Sequence, residues 1–151
     1  IPQEASGTSV VESPMATPQG FEGRQTILCV DDNPANLRLI SRILQPLTGV
    51  TVLAAPTPAL GLELATAHRP DLILLDINMP GMDGYEVLQR IRTTAALIET
   101  PVVAVTANAM ERDIERGMEA GFAAYVTKPL DKGLFLRTVH RLLGLRRDEL
   151  M

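Results

Sequence analysis

The segment "LLDINMPGMDGYEVL", residues 74–88, joins two different kinds of sequence. It begins with branched apolar residues, as a buried strand does, and places the carboxylate of Asp76 directly before a cluster of turn residues. A helical spacing of apolar residues then begins at Val87. The stretch predicts a strand, a turn and a helix, with a charge at the carboxyl end of the strand.

Similar apolar runs recur along the chain and alternate with amphipathic segments of helical period. The runs are "TILCV" (26–30), "VTVLAA" (50–55), "DLILLD" (71–76), "PVVAVTA" (101–107) and "AAYVTK" (123–128). Because their hydrophobicity is continuous, both faces of each strand are expected to be buried, as in a parallel sheet covered by helices. The pattern predicts an α/β, doubly wound (βα)5 fold, in which ligands bind at the carboxyl ends of the strands.

Helix boundaries carry their own signals. Asn33 and Thr57 each precede a proline, which predicts two helix starts. Asp83 is interpreted as a cap rather than a ligand, and Gly121 and Gly144 are predicted to end helices. The fourth helical stripe, Met110, Ile114 and Met118, is predicted to pack in the core.

Composition and charge limit the classes of function that the protein can have. The chain has 151 residues, 46% of them hydrophobic, which suits one soluble domain. A net charge of −4 without a basic run argues against direct nucleic-acid binding. The single cysteine, Cys29, and the lack of an apolar stretch of about 20 residues predict a cytoplasmic protein without membrane contact. Residues 1–23 are predicted to be a disordered tail or linker, 24–144 the domain and 145–151 a C-terminal tail.

Polar side chains lie at the carboxyl ends of four of the predicted strands. They are Asp31 and Asp32 after strand one, Asp76 after strand three, Thr106 after strand four and Lys128 after strand five. Three nearby carboxylates repel one another, and Mg²⁺ is the cation that such oxygen ligands favour. The sequence therefore predicts a Mg²⁺ site.

The same cluster predicts phosphoryl chemistry. Asp76, beside a metal and a lysine, is a plausible nucleophile toward phosphorus, since carboxylates form aspartyl-phosphate intermediates. Lys128 would pair with one phosphoryl oxygen and Thr106 would donate a hydrogen bond to another. A haloacid-dehalogenase-type phosphatase is a weaker alternative, because it needs an acid two residues after the nucleophile, where this chain has Asn78. A pure interaction module is a further alternative.

Four ordered motifs, "LCVDDNPAN", "LILLDINMPGMDG", "VVAVTANA" and "YVTKPLD", resemble the receiver domain of two-component response regulators and hybrid histidine kinases. The resemblance implies a flavodoxin-like sheet of order 2-1-3-4-5, with residues 24–144 as the receiver domain. It also implies a cis peptide bond between Lys128 and Pro129.

The resemblance assigns roles position by position. It implies Asp76 as phosphoacceptor and Mg²⁺ ligand, with Asp32 and the backbone carbonyl of Asn78 as direct ligands and Asp31 acting through water. It implies Lys128 as the phosphoryl-binding lysine, with Thr106 and Tyr125 as switch residues. For Tyr125, a core aromatic is the alternative interpretation.

The expected function is transfer of a phosphoryl group to Asp76 from a phosphohistidine of a histidine kinase or histidine phosphotransfer domain. The domain would catalyse only its own phosphorylation and dephosphorylation, as a monomer or weak dimer. A C-terminal receiver of a hybrid histidine kinase is the expected context, and a stand-alone regulator is the alternative.

Overall fold

The protein is described by a computed structural model that covers residues 25–47, 49–79, 83–107 and 111–150, with backbone alone at 111–114, 117 and 145–150. The described elements are β1 (Gln25–Val30), α1 (Pro34–Leu44), β2 (Val50–Ala55), α2 (Pro58–His68), β3 (Leu72–Asp76), α3 (Gly84–Arg92), a 3₁₀ turn (Ala95–Leu97), β4 (Val102–Thr106), α4 (Glu111–Ala120), β5 (Ala124–Thr127) and α5 (Lys132–Leu150). The predicted disordered segment, 1–23, lies outside the described residues.

The five strands form one parallel sheet of order β2-β1-β3-β4-β5, which confirms the predicted fold class and strand order. The order reverses between β1 and β3, and in such sheets ligands bind outside the carboxyl ends of the strands at this point. The register pairs Val30 with Leu75 and Thr106 with Thr127. It therefore brings the carboxyl ends of β1, β3 and β5 to the same edge of the sheet.

Side chains of the strands alternate between two apolar cores. Ile27 and Cys29 pack with α1 and α5 on one face, whereas Leu28 and Val30 pack with α2 and α3 on the other. Both faces are thus covered, as the continuous apolar runs predict. Burial raises the pKa of the Cys29 thiol to about 12, and the charge of Asp31 adds to the effect, so this cysteine is an inert core residue.

Three helix starts follow the predicted caps. Asn33 accepts a hydrogen bond from the N–H of Ala35, Thr57 accepts one from Leu60, and Asp83 accepts one from Tyr85. These bonds satisfy backbone donors that have no partner within the helix. At the end of α4, Gly121 has φ +113°, a conformation that favours glycine.

Two predictions in the last third of the chain are wrong. Gly144 does not end a helix, because α5 continues to Leu150. A glycine inside a helix costs only about 1 kcal/mol relative to alanine, and the residues that follow it are good helix formers. In α4, Met118 is 48% exposed rather than packed in the core; Met110 lies outside the described residues, and the side chain of Ile114 is not among those described.

None of the helices described combines the length and the apolar character that crossing a membrane requires.

Gly84 allows the start of α3 to pack closely against the loop that follows β3. A Cβ atom at this position would lie 2.6 Å from the Cβ and 2.7 Å from the Cα of Ile77. This approach brings the first turn of α3 against the residue that follows Asp76. The sequence gives no sign of this contact.

We expect Gly84→Ala to destabilise the protein by about 1–3 kcal/mol, because the added methyl overlaps backbone that cannot move freely. Urea unfolding followed by circular dichroism measures the change. Gly144→Ala is the matched control: its Cβ meets nothing within 4 Å, so helix propensity alone should stabilise the protein by about 0.5–1 kcal/mol. Equal effects of the two substitutions would contradict the steric explanation.

Candidate functional site

An acidic cluster lies at the carboxyl edge of the sheet. Asp31 and Asp76 are buried, at 2% and 5% exposure, and Asp32 is exposed. Carboxylate oxygens of the three residues lie within 4.8 Å of one another. The register explains this arrangement, because Asp31 and Asp76 follow the paired residues Val30 and Leu75.

Lys128 links the two buried carboxylates. Its Nζ lies 3.4 Å from Oδ2 of Asp31 and 3.4 Å from Oδ2 of Asp76. The lysine follows β5, two strands away from β3, and its backbone N–H donates to the carbonyl of Thr106 at 2.7 Å. The peptide bond from Lys128 to Pro129 is cis, which confirms the prediction from the resemblance. The ammonium group compensates part of the charge that burial makes costly.

The two buried carboxylates share one local geometry. Oδ1 of Asp31 accepts the backbone N–H of Asn33 at 2.9 Å, and Oδ1 of Asp76 accepts the backbone N–H of Asn78 at 2.9 Å. Each carboxylate is therefore fixed by its own loop through one oxygen and presents the other to Lys128. Asp side chains form such turns readily because they reach the backbone two residues further on.

Burial raises the pKa of Asp76 above its usual value. The N–H of Asn78 lowers it, the charge of Asp31 raises it again, and Lys128 lowers it. The net upward direction means that the site disfavours a charged Asp76 when no cation other than Lys128 is near.

The donor set fits a divalent cation. Among the described residues, three carboxylates are grouped and Lys128 pairs with two of them, which leaves an excess of negative charge that a divalent cation would compensate. All the grouped donors are carboxylate oxygens, the ligands that hard cations such as Mg²⁺ prefer. The structure thus brings together the carboxylates that the sequence predicts, and their ligand type and charge suit a hard divalent cation.

Thr106 and Asn78 meet beside the acidic cluster. The side-chain hydroxyl of Thr106, at 0% exposure, accepts a hydrogen bond from the amide Nδ2 of Asn78 at 2.5 Å. Tyr125, on the neighbouring strand β5, is partly buried. An open cleft of about 300 Å³ adjoins them; its lining residues are Ile77, Asn78, Asp83, Tyr85, Thr106, Arg116 and Tyr125.

Two contacts of Tyr85, which lines this cleft, are not predicted from the sequence. The Arg116 guanidinium lies 4.3 Å from the ring centroid of Tyr85, and the Tyr85 ring meets Phe122 edge-on at 5.6 Å. A cation over an aromatic ring is attracted by the ring quadrupole, so this stack connects α4 to the start of α3. Neither residue carries a local sequence signal, since the contact depends on how two helices pack.

Sequence comparison identifies a family. Residues 27–140 match the family described as response regulator receiver domain. The polar-differentiation response regulator DivK of Brucella anthropi is 36% identical over 120 residues, which are 80% of this chain and 97% of the relative. DivK of Brucella ovis is 35% identical over a segment of the same length.

Solved structures agree with the sequence comparison. The chemotaxis protein CheY4 of Vibrio cholerae superposes with a TM-score of 0.73 at 28% identity, covering 79% of this chain and 98% of the other. The BeF3-activated receiver domain of DrrB superposes with a TM-score of 0.71 at 30% identity, covering 80% and 98%.

The raised pKa of Asp76 predicts a pH-dependent stability difference. In chelator at neutral pH, Asp76→Asn should be more stable than the wild type, because it removes a charge that the folded state disfavours. Because the pKa of Asp76 is higher in the folded than in the unfolded state, this penalty is complete at a pH above the folded-state pKa. It is absent at a pH below the unfolded-state pKa. The advantage should therefore shrink as the pH falls toward about 4.

Urea unfolding at a series of pH values measures this difference. Asp83→Asn is the control, since this exposed cap keeps a side-chain oxygen for the N–H of Tyr85, and we expect its effect to be small at every pH. A gain for Asp76→Asn that stays constant from neutral to acidic pH would show that titration is not its cause.

Proposed function

The chain belongs to the family of response regulator receiver domains, and we propose that it accepts a phosphoryl group on Asp76 in a two-component phosphorelay. The observation that carries this proposal is the position of Asp76: a buried carboxylate at the end of β3, grouped with two other carboxylates and 3.4 Å from an ammonium group. The family membership replaces the dehalogenase-type phosphatase as an explanation of the strand-end aspartate.

The proposed donor is a phosphohistidine of a histidine kinase or histidine phosphotransfer domain. A carboxylate oxygen of Asp76 forms a bond to phosphorus while the bond from phosphorus to the donor imidazole nitrogen breaks; that nitrogen keeps the electron pair and takes up a proton. Lys128 is placed to neutralise negative charge on a phosphoryl oxygen, since its Nζ already lies near Oδ2 of Asp76. The chain thus contributes positioning and charge.

Asp32, Asp76 and the backbone carbonyl of Asn78 would hold Mg²⁺ directly, with Asp31 acting through water. When bound, Mg²⁺ neutralises carboxylate charge and polarises phosphoryl oxygens. Asp76 would then be ionised near neutral pH, because the cation offsets the burial that raises its pKa. The exposed position of Asp32 leaves this side of the cluster open to solvent.

The response to phosphorylation is proposed to pass through Thr106 and Tyr125. A phosphoryl group adds negative charge and acceptor oxygens, and the Thr106 hydroxyl at the end of β4 would donate to one of them. Tyr125 would follow the movement, and the surface made by α4, β5 and α5 would change its affinity for partners. A ligand shifts such an equilibrium only by its differential affinity for the two states.

The proposal applies equally to a receiver within a hybrid histidine kinase and to a stand-alone regulator. In both contexts the phosphodonor is a histidine domain, and we propose a cytoplasmic location. The alternative of an interaction module that has lost its chemistry is decided by whether Asp76 can be phosphorylated.

Intact-mass analysis tests the chemistry. After incubation with acetyl phosphate and Mg²⁺, the wild type should gain the mass of one phosphoryl group, whereas Asp76→Asn should gain none because the nucleophile is missing. Chelator should strongly reduce the mass gain of the wild type. Asp32→Ala should gain much less mass than the wild type under the same conditions. Asp71→Asn is the matched control at the opposite end of the same strand, where its side chain accepts the N–H of Thr26; it should react like the wild type. Modification of Asp76→Asn, or equal modification in chelator, would contradict the site.

Thr106→Ala should separate phosphorylation from the response. The variant keeps Asp76, Lys128 and the acidic cluster, so it should still bind beryllofluoride and Mg²⁺ as a phosphoryl mimic, more weakly than the wild type. NMR chemical-shift changes should reach Tyr125 and α4 in the wild type and stay near Asp76 in the variant. Thr106→Ser, which retains the hydroxyl, should restore the distant changes. Equal distant shifts in Thr106→Ala and wild type would rule out this route.

A further inference from the structure

Asn78 contacts both the proposed phosphoacceptor, Asp76, and the proposed switch residue Thr106. Its backbone N–H donates to Oδ1 of Asp76 at 2.9 Å, and its side-chain amide donates to the hydroxyl of Thr106 at 2.5 Å. One residue thus connects the proposed phosphoacceptor to the proposed switch hydroxyl. Asn78 lies in the loop after β3, while Thr106 ends the neighbouring strand β4.

The bond between the two side chains joins groups in different surroundings. Thr106 is fully buried, so its hydroxyl needs a partner within the protein. Asn78 is an exposed residue that lines the open cleft of about 300 Å³. If this hydrogen bond breaks, water in the cleft can satisfy the amide, and a phosphoryl oxygen on Asp76 would accept a hydrogen bond from the hydroxyl.

The geometry points to Asn78 as a positioning residue that restrains Thr106 in the unphosphorylated state. This inference rests on the proposed function and concerns regulation at the same site. Moving the Thr106 hydroxyl toward a phosphoryl group on Asp76 requires that it give up the Asn78 amide. The restraint therefore opposes activation and sets how much of the switched state is populated at a given level of phosphorylation.

A double-mutant cycle tests the restraint through the affinity for beryllofluoride at saturating Mg²⁺. Asn78→Ala should bind the mimic about five-fold more tightly than the wild type, because one neutral hydrogen bond no longer opposes the switched state. In a Thr106→Ala background, adding Asn78→Ala should change nothing. Asn78→Leu, similar in shape but without a donor, should behave like Asn78→Ala.

A further measurement separates restraint from a general structural effect. Hydrogen exchange of the Asn78 side-chain amide should be faster in Thr106→Val than in the wild type, since valine keeps the shape but offers no acceptor.

The outcomes are distinct. Weaker or unchanged binding in Asn78→Ala, equal tightening in both backgrounds, or no change in amide exchange would overturn the restraint while leaving the proposed function intact. If instead the wild type fails to bind beryllofluoride with Mg²⁺, the proposed function is contradicted, and the restraint that rests on it falls as well.

Discussion

The ion pairs of Lys128 with Asp31 and Asp76 are the interaction on which the site depends. They join the ends of three strands, because Lys128 follows β5, Asp31 follows β1 and Asp76 is the last residue of β3. Two buried carboxylates close together would repel each other without an intervening cation. Lys128 therefore lowers the repulsion at this edge of the sheet, and under the proposed function the same ammonium group would compensate incoming phosphoryl charge.

This arrangement gives the site two kinds of support. The loops after β1 and β3 fix one oxygen of each buried carboxylate through a backbone N–H, and the opposite oxygens share Lys128. The backbone hydrogen bonds fix the positions of the two carboxylates, whereas the shared ammonium group compensates their negative charge. A carboxylate held this way is already oriented, so less ordering would remain for the proposed phosphoryl transfer.

Much of the fold follows from short-range sequence patterns. Continuous apolar runs such as "LILLD" predict buried parallel strands, and parallel strands place Asp31, Asp76 and Lys128 at one edge without any knowledge of side-chain contacts. The remaining features depend on packing between distant segments. Arg116 stacks on Tyr85 across two helices, and Gly84 is required by the position of Ile77. No periodicity or capping rule encodes such contacts, and the helix that continues through Gly144 shows that a local stop signal can be overridden.

The lone cysteine gives the sheet an intrinsic probe. Cys29 lies inside β1 between two buried neighbours, and its pKa near 12 leaves almost no thiolate at neutral pH. A thiol reagent can modify it only after β1 separates from α1 and α5. The rate of labelling therefore reports how often this strand becomes accessible, at a residue next but one to Asp31, in a chain that contains no other thiol to confuse the signal.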